Sequence, residues 1–293
     1  MIKSMGLIFV GLWPCDLEEL ITLPWSQGGC GVKNAPYLAK EKNLSVIDTV
    51  IDTLRKADYD EPGAPNVMIQ STDSSVLLKF KEKTKYELVY MIDEIVGDID
   101  DSALSDIKTF AHSVVIKRGS VYLTNEFFLT ASTKTVPKLK SSNLSVYVQT
   151  FHNEFVSQEW DFMSDPTEQI NTFVQDAGIN GVITGFPQTA DRLYRRNRCL
   201  NLGNSTPNYM KPVGIGGLFQ LIDKSSLPPA MAPIPSLIEA NVTEPPLAPF
   251  SQISPSSSIG GAPGAQPPHN AQPKIAVCFT MSSLTLLLAS LLL

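Results

Sequence analysis

The fold class follows from one stretch in the second half of the chain, where residues 165–184 read DPTEQINTFVQDAGINGVIT. Asp165 is a residue type that commonly caps a helix, and Pro166 suits the first helical position. Gly178 is typical of the residue that follows a helix. The apolar run 181–184 then predicts a short buried strand. The stretch is therefore predicted to be one helix followed by one strand.

The same alternation extends upstream and downstream of this stretch. A capped amphipathic helix is predicted to begin after Ser45, with Asp48 three residues on. Strands are predicted at 67–70, 87–92, 113–116, 144–150 and 181–184. Helices are predicted at 73–80, 102–110, within 125–140, at 166–177 and at 187–195. This alternation favours a parallel sheet, either a (β/α)₈ barrel or an open doubly wound sheet.

The first twelve residues are predicted to form a further strand of the folded domain. Their apolar core, residues 6–12, is at the short limit of a secretory signal, which needs about 7 to 15 such residues. Trp13 and Pro14 follow it, where a small-residue cleavage site is expected.

Composition separates the chain into a globular part and a tail. With 293 residues, 18% of them charged, and a net charge of −6, the chain has no basic field that would indicate nucleic acid. Twelve of the 22 prolines lie between residues 224 and 274, which predicts an extended stalk. The predicted organisation is a domain at 1–205, a disordered Pro/Ser-rich stalk at 206–259 and a C-terminal signal at 260–293.

The last residues predict a glycolipid (GPI) anchor. Residues 275–293 are almost uncharged and apolar, and the spacer from 263 to 274 separates them from small residues at 260–262. Gly260 is the predicted attachment site, with 256–258 and Gly264 as alternatives. A spanning helix that anchors the chain by its tail is the competing interpretation. The anchor predicts a location on the outer leaflet of the plasma membrane.

Glycosylation sequons and cysteines are compatible with an extracellular location. Sequons occur at Asn43, Asn143, Asn204 and Asn241. Outside the apolar tail, the disulfide candidates are Cys15, Cys30 and Cys199, an odd number that leaves one thiol over.

Four segments carry a resemblance to a known family: 67–75, 143–149, 153–158 and 181–184. They resemble the C-terminal part of the glycerophosphodiester phosphodiesterase family, and more closely its plant members, which are GPI-anchored, associated with the cell wall and carry two such domains in tandem. The resemblance runs from about residue 31 to 200 and continues through the stalk. It implies a partial (β/α)₈ barrel of about strands four to eight. It also implies a glycerophosphodiester substrate, cleaved to an alcohol and glycerol 3-phosphate. A cell-wall polysaccharide is a further candidate partner.

The resemblance does not extend to the family's catalytic motifs. The family carries its His-Arg pair after strand one, its Glu-x-Asp on the next strand and then its second catalytic His, which serve acid–base chemistry and hold a divalent metal such as Ca²⁺. The match begins at about strand four, so these motifs have no counterpart at those positions of this sequence. Lys33 and Gly185 stand where relatives carry acids. We therefore predict that this chain retains no cofactor and no complete catalytic set.

Four residues are predicted to border a pocket at the carboxyl ends of the strands, where barrel active sites lie. They are Gln70, His152, Asn153 and Glu154. His112 is interpreted as a packed or surface imidazole, and His269 lies in the tail.

The glycine-rich junction 25–32 predicts that a long family segment is missing, which would leave an open sheet with exposed edges. Two functions follow, a surface phosphodiesterase or a non-catalytic scaffold or binding protein. The residues favour the second.

Overall fold

The computed structural model describes residues 8–11, 27–61, 64, 67–194 and 211–249. Within them, the strands are β1 (Ile8–Gly11), β2 (Gln27–Gly31), β3 (Val67–Ser71), β4 (Glu87–Met91), β5 (Asp98–Ile99), β6 (Ser113–Lys117), β7 (Tyr122–Asn125), β8 (Phe128–Ser132), β9 (Ser145–Phe151), β10 (Gly181–Thr184) and β11 (Ser236–Leu237). The helices are α1 (Ala35–Lys42), α2 (Val46–Lys56), α3 (Ser74–Lys83), α4 (Asp101–Phe110), α5 (Thr135–Ser141), α6 (Pro166–Gln175) and α7 (Pro187–Tyr194).

Seven of the described strands close into a barrel in the order β1, β10, β9, β6, β4, β3, β2. From β2 to β10, every neighbouring pair of these strands is parallel and follows chain order. A doubly wound sheet requires a reversal of strand order, which the described strands lack. The predicted α/β partial barrel is therefore confirmed, and the doubly wound alternative is wrong.

Strand β1 closes the ring from the opposite direction. It runs antiparallel to β10, from Ile8 opposite Thr184 to Gly11 opposite Gly181, and antiparallel to β2 on its other side. The strand predicted near the N-terminus is thus present. The expected open sheet is wrong, because β1 supplies backbone partners to both edges that the parallel strands would leave unpaired.

The predicted helix starts arise from local side-chain caps. At α2, the Asp48 N–H donates to Ser45 Oγ at 3.3 Å. At α6, the Thr167 N–H donates to Asp165 Oδ1 at 2.8 Å. Gly178 has φ +69°, a left-handed conformation that favours glycine after a helix. These caps confirm the unit from which the fold class was inferred.

The parallel strands bury both faces, as expected for a barrel covered by helices. One face fills the interior of the barrel with Met68, Val89, Met91, Val115, Tyr147 and Ile183. The other face packs against the helices, with Ile69, Leu88, Val114, Val146 and Val182 among its members. The alternation along each strand therefore separates two apolar clusters.

The helix predicted within 125–140 is α5, which begins at Thr135. The same region also holds a hairpin of β7 and β8 that was not predicted. Glu126 and Phe127 make the turn with φ values of +48° and +65°. Two-residue turns with positive φ are usually marked by Asn-Gly or Asp-Gly. Because neither dipeptide stands here, the local sequence does not predict a hairpin.

Residues 211–249, predicted as part of a disordered stalk, pack on the barrel instead. The Gly97 and Asp100 N–H groups donate to Pro235 O and Leu237 O at 2.9 and 3.0 Å, and β11 pairs with β5. Leu237 and Val242 are buried. Proline is compatible with this edge pairing because only its carbonyl is needed. The boundary predicted at 205/206 is wrong for this segment, and residues 250–259 lie outside the described part of the chain.

The predicted glycosylation, disulfide and anchor sites lie partly outside the described residues. Asn43, Asn143 and Asn241 are exposed, as a glycosylated asparagine must be, and Asn204 lies outside the described residues. Cys30 is half-buried and unpaired among the described residues, whereas Cys15 and Cys199 lie outside them. Gly260 and the apolar run 275–293 are also outside. No helix in the described ranges is long and apolar enough to cross a bilayer.

Candidate functional site

A cavity of about 990 Å³ opens at the carboxyl ends of the parallel strands. Gly31, Met91 and Lys117 line it from the last positions of β2, β4 and β6, and Gln70 lines it from the position before the end of β3. Active sites of (β/α)₈ barrels lie at this end of the strands. The cavity therefore occupies the functional face of the fold.

Two segments outside the parallel strands complete the wall of the cavity. The tip of the β7–β8 hairpin contributes residues 124–127, and the C-terminal segment contributes residues 229–231. Asn125 Nδ2 donates to Pro229 O at 3.3 Å and so joins the two. Both segments escaped the sequence-based prediction.

Cations and carboxylates lie side by side along the cavity. Lys117 Nζ forms an ion pair with Asp93 Oδ1 at 3.1 Å. Lys33 is exposed and lines the cavity, and no described residue forms an ion pair with it. An ammonium group without a neighbouring carboxylate attracts an anion more strongly than a paired one does. Lys33 is therefore the cation best suited to an incoming anionic group.

Arg118 is held in one orientation by a buried network. Its Nη1 lies 3.3 Å from Glu159 Oε2, and its Nη2 donates to Ser157 O at 2.8 Å. Gln169 Nε2 also donates to Glu159 Oε2, at 2.7 Å. Only 9% of the Glu159 side chain is exposed, so the carboxylate needs both donors to offset its desolvation. The guanidinium is thus fixed at the cavity wall.

Two of the four predicted rim residues line the cavity. Gln70 is buried, and its Nε2 donates to Met91 Sδ at 2.8 Å. His152 follows β9 and also lines the cavity. Asn153 and Glu154 are not among the lining residues. Asn153 Nδ2 donates to Thr189 Oγ1 at 2.9 Å, and Glu154 Oε2 lies 3.6 Å from His152 Nδ1.

The described residues of the cavity offer few ligands for the divalent metal that the resemblance implies. No three His, Cys, Asp or Glu side chains in the described ranges come together as a set that holds a metal ion. Of the carboxylates that line the cavity, Asp93 and Glu159 are ion-paired with Lys117 and Arg118, which leaves Glu126. Lys33 adds a positive charge at the same cavity. A divalent cation requires several oxygen ligands without competing cations.

His112 lies at the opposite end of the barrel. Its Nδ1 accepts from the Leu88 N–H at 3.2 Å, and the His112 backbone N–H donates to Leu88 O at 2.9 Å. The imidazole therefore has a structural role between the beginnings of β4 and β6, in agreement with its interpretation as a packed or surface side chain.

A pair of carboxyl groups joins the C-terminal segment to the barrel outside the cavity. Burial and the neighbouring charge of Asp73 raise the pKa of Glu244 to about 7. Burial also raises the pKa of Asp73. The Glu244 N–H donates to Ser74 Oγ at 3.3 Å, at the start of α3. Because two adjacent carboxylates repel each other, the contact is strongest when one of them carries a proton.

Two residues that line the cavity could have been predicted from the sequence but were not. Lys117 and Arg118 directly follow the predicted strand 113–116, and the rule that strand ends build the site points to them. Phe127 and residues 229–231 carry no comparable signal, because their position depends on the hairpin turn and on the docked segment.

Residues 29–189 match the glycerophosphoryl diester phosphodiesterase family. The match covers more than half of the 293 residues, and the chain belongs to this family. The resemblance to a plant member of the family is confirmed by relatives from Arabidopsis thaliana.

Three of these relatives illustrate the extent of the similarity. Glycerophosphodiester phosphodiesterase GDPDL1 is 51% identical over 230 residues, which are 78% of this chain and 30% of that protein. Glycerophosphodiester phosphodiesterase GDPDL3 is 47% identical over 263 residues, 89% and 34% of the two chains. Protein SUPPRESSOR OF NPR1-1 CONSTITUTIVE 4 is 47% identical over 230 residues, 78% and 20%. The chain thus spans about a third or less of these relatives.

Proposed function

We propose that the cavity binds the phosphodiester group of a glycerophosphodiester, and that this chain does not cleave the ester by itself. The position of Lys33 carries the proposal, because a cation without a described ion-pair partner lines the cavity at the functional face of the barrel. A phosphodiester carries one negative charge, and hydrogen bonds to ionised oxygens are about twice as strong as neutral ones. Family membership supports the same class of ligand.

The absence of cleavage rests on the chemistry that phosphoryl transfer requires. Acid–base groups and a metal must surround the reacting phosphorus, and their positions decide the rate. In the described part of the chain, His152 is the one imidazole that lines the cavity. Of the three described carboxylates that line the cavity, Asp93 and Glu159 already neutralise Lys117 and Arg118, which leaves Glu126 alone. The proposed role is therefore binding.

Hydrolysis of glycerophosphodiesters is the second candidate function. The family match favours it, as do the names of relatives such as glycerophosphodiester phosphodiesterase GDPDL1. The two candidates differ in one product, since hydrolysis releases glycerol 3-phosphate and binding alone does not.

Binding and hydrolysis can be measured on the same purified full chain. Titration calorimetry with glycerophosphocholine is expected to show saturable binding that weakens about tenfold in Lys33→Ala, the loss typical of a hydrogen bond to a charged group. Lys56→Ala, which removes an exposed lysine of α2, is the matched control and should bind as the parent does. A coupled assay with Ca²⁺ or Mg²⁺ is expected to detect no glycerol 3-phosphate. Release of glycerol 3-phosphate would contradict the proposal that this chain does not cleave the ester. Failure of glycerophosphocholine to bind would contradict the proposed binding site.

We also propose that a GPI anchor attached near Gly260 holds the chain on the outer leaflet of the plasma membrane, next to the cell wall. The apolar run 275–293 and its polar spacer support the anchor. Treatment of membranes with a phosphatidylinositol-specific phospholipase should release the protein. Retention after this treatment would instead indicate a spanning helix.

A wall polysaccharide as partner is tested by co-sedimentation of the released protein with isolated cell walls. A protein that stays in the supernatant would argue against this partner.

A further inference from the structure

Three large apolar side chains are exposed at the edge of the cavity, and each comes from a different segment. Ile95 follows β4, Phe127 lies in the β7–β8 turn, and Met231 belongs to the C-terminal segment. Their exposures are 46%, 53% and 58%. Single exposed apolar residues are ordinary on protein surfaces, but a group of them around one cavity is typical of a binding site. We call these three residues the apolar mouth.

The backbone positions that carry the apolar mouth are fixed by other contacts. A Cβ at Gly119 would lie 3.1 Å from Ile95 Cδ1, so Ile95 packs directly over the Gly119 backbone. Phe127 O accepts from the Trp160 N–H at 2.9 Å. The segment before Met231 is joined to the hairpin through the Asn125–Pro229 hydrogen bond. The mouth is thus preformed, which reduces the entropy lost when a ligand binds.

The remaining wall of the same cavity is polar, and Lys33 is the cation in it that no described carboxylate pairs with. Lys33 and Gln70 line it from the ends of β2 and β3. A cavity of about 990 Å³ lies at the upper end of the range of about 300 to 1,000 Å³ that holds drug-sized ligands. Glycerol and a phosphate group alone would leave much of it empty. The combination fits a ligand with an anionic head and an apolar extension.

We propose that the apolar mouth is a subsite for an acyl or alkyl chain on the phosphodiester, so that the preferred ligand is a lysophospholipid rather than a water-soluble glycerophosphodiester. The inference rests on the proposed function, which places the phosphate near Lys33. The chain of the ligand leaves the polar wall and covers Ile95, Phe127 and Met231. Each buried methylene of the ligand then strengthens binding, because apolar surface is removed from water.

A series of ligands with one headgroup and increasing chain length tests the subsite. The full chain, immobilised and washed free of detergent, is titrated with glycerophosphocholine and with hexanoyl, octanoyl and decanoyl lysophosphatidylcholine below their micelle concentrations. Affinity is expected to rise about twofold to fourfold per methylene, up to the length that the mouth covers.

Variants locate the effect. Phe127→Asn is compatible with the positive φ at this position, and Met231→Gln retains an unbranched side chain. Both are expected to flatten the rise of affinity with chain length, so that the ratio of decanoyl lysophosphatidylcholine affinity to glycerophosphocholine affinity falls in each variant. Leu221→Gln replaces an 81% exposed residue outside the cavity lining and should retain the rise. Circular dichroism of each variant verifies the fold.

The possible outcomes separate this subsite from the proposed function. If glycerophosphocholine binds, and the three lysophosphatidylcholines bind with the same affinity as it does, the subsite is overturned and the proposed function stands. Chain-dependent binding that both variants reduce, without any binding of glycerophosphocholine, supports the subsite and overturns the proposed function. A chain dependence that neither variant changes overturns the assignment to Phe127 and Met231. If no probe binds, both proposals fail.

Discussion

The barrel and the C-terminal segment 211–249 bury apolar side chains by different means. In the barrel, the parallel strands contribute long ladders of backbone hydrogen bonds and two apolar clusters. In the segment, Leu237 and Val242 are buried, but β11 is only two residues long. The segment is therefore attached mainly by a few side chains, whereas the barrel is held by its whole sheet.

The cavity therefore combines elements of unequal stability. Lys33 follows β2 closely and Gln70 lies within β3, whereas Met231 lies in the C-terminal segment. Elements with few buried contacts open locally at lower free energy than the core does. Local opening is thus expected to cost less free energy at Met231, which the segment supplies to the apolar mouth, than at the polar wall of the cavity.

The largest effect is expected from Phe173→Ala in the barrel. Its ring lies against Tyr122, Phe151 and Phe162, with centroid distances of 4.8, 5.1 and 6.4 Å. Removal of this buried ring should lower the free energy of unfolding by about 3 to 5 kcal/mol, as measured by denaturant titration. Phe155→Ala, at a ring that is 57% exposed, is the control and should cost less than about 1 kcal/mol. Equal losses in the two variants would contradict the assigned core.

The next largest effect is expected from Leu237→Ala in the segment. The substitution should lower the free energy that holds the segment on the barrel by about 2 to 3 kcal/mol and leave the barrel itself folded. The amides of Gly97 and Asp100, which donate to the segment, should then exchange hydrogen about 30- to 150-fold faster, while amides of β6 are unchanged. Ile238→Ala, at an adjacent exposed residue, is the control. A matching acceleration across β6 would show that segment and barrel unfold as one unit.

How far the sequence predicts the molecule differs between the same two regions. The α6–β10 unit was predictable because Asp165, Pro166 and Gly178 act within a few residues of their position. Strand β2 was not, because its sequence Gln-Gly-Gly-Cys-Gly lacks the apolar residues that mark a strand. The site was predicted only where residues follow recognised strands, as Gln70 and His152 do.

Docking of the segment escaped prediction for a physical reason. A high proline content disfavours regular structure, but it does not prevent carbonyls from accepting hydrogen bonds or Leu237 and Val242 from being buried. Whether such a segment packs depends on a complementary surface elsewhere in the chain, which local patterns do not report. Residues 229–231 enter the cavity wall for the same reason.

A smaller effect is expected from Asp165→Ala, which removes the helix cap of α6. The Thr167 N–H would lose its acceptor, at a cost of about 1 kcal/mol in the free energy of unfolding. Asp165→Asn keeps an acceptor oxygen and should retain most of the stability. Thermal unfolding of the two variants gives the difference. An asparagine variant as unstable as the alanine variant would argue that the charge, rather than the cap, stabilises the helix.

The smallest effect is expected from the carboxyl pair of the segment. The pKa of Glu244 is raised to about 7 in the folded chain, so the protonated pair contributes stability that is complete below about pH 4.5 and is lost as the pH rises through about 7. Because Glu244 is partly exposed, screening by solvent keeps this contribution small. Glu244→Gln should therefore remove this part of the pH dependence. The test is the difference in melting temperature between variant and parent at pH 5 and pH 8, and a difference that does not change with pH would contradict the assignment.

A crystal structure of the full chain with bound glycerophosphocholine tests most directly whether the barrel and the docked segment together form a phosphodiester site. The expected result is a phosphate group within hydrogen-bonding distance of Lys33 Nζ, in a cavity walled on one side by residues 229–231. Electron density for the ligand outside this cavity would contradict the site. A segment 211–249 that leaves the barrel would contradict the role assigned to it.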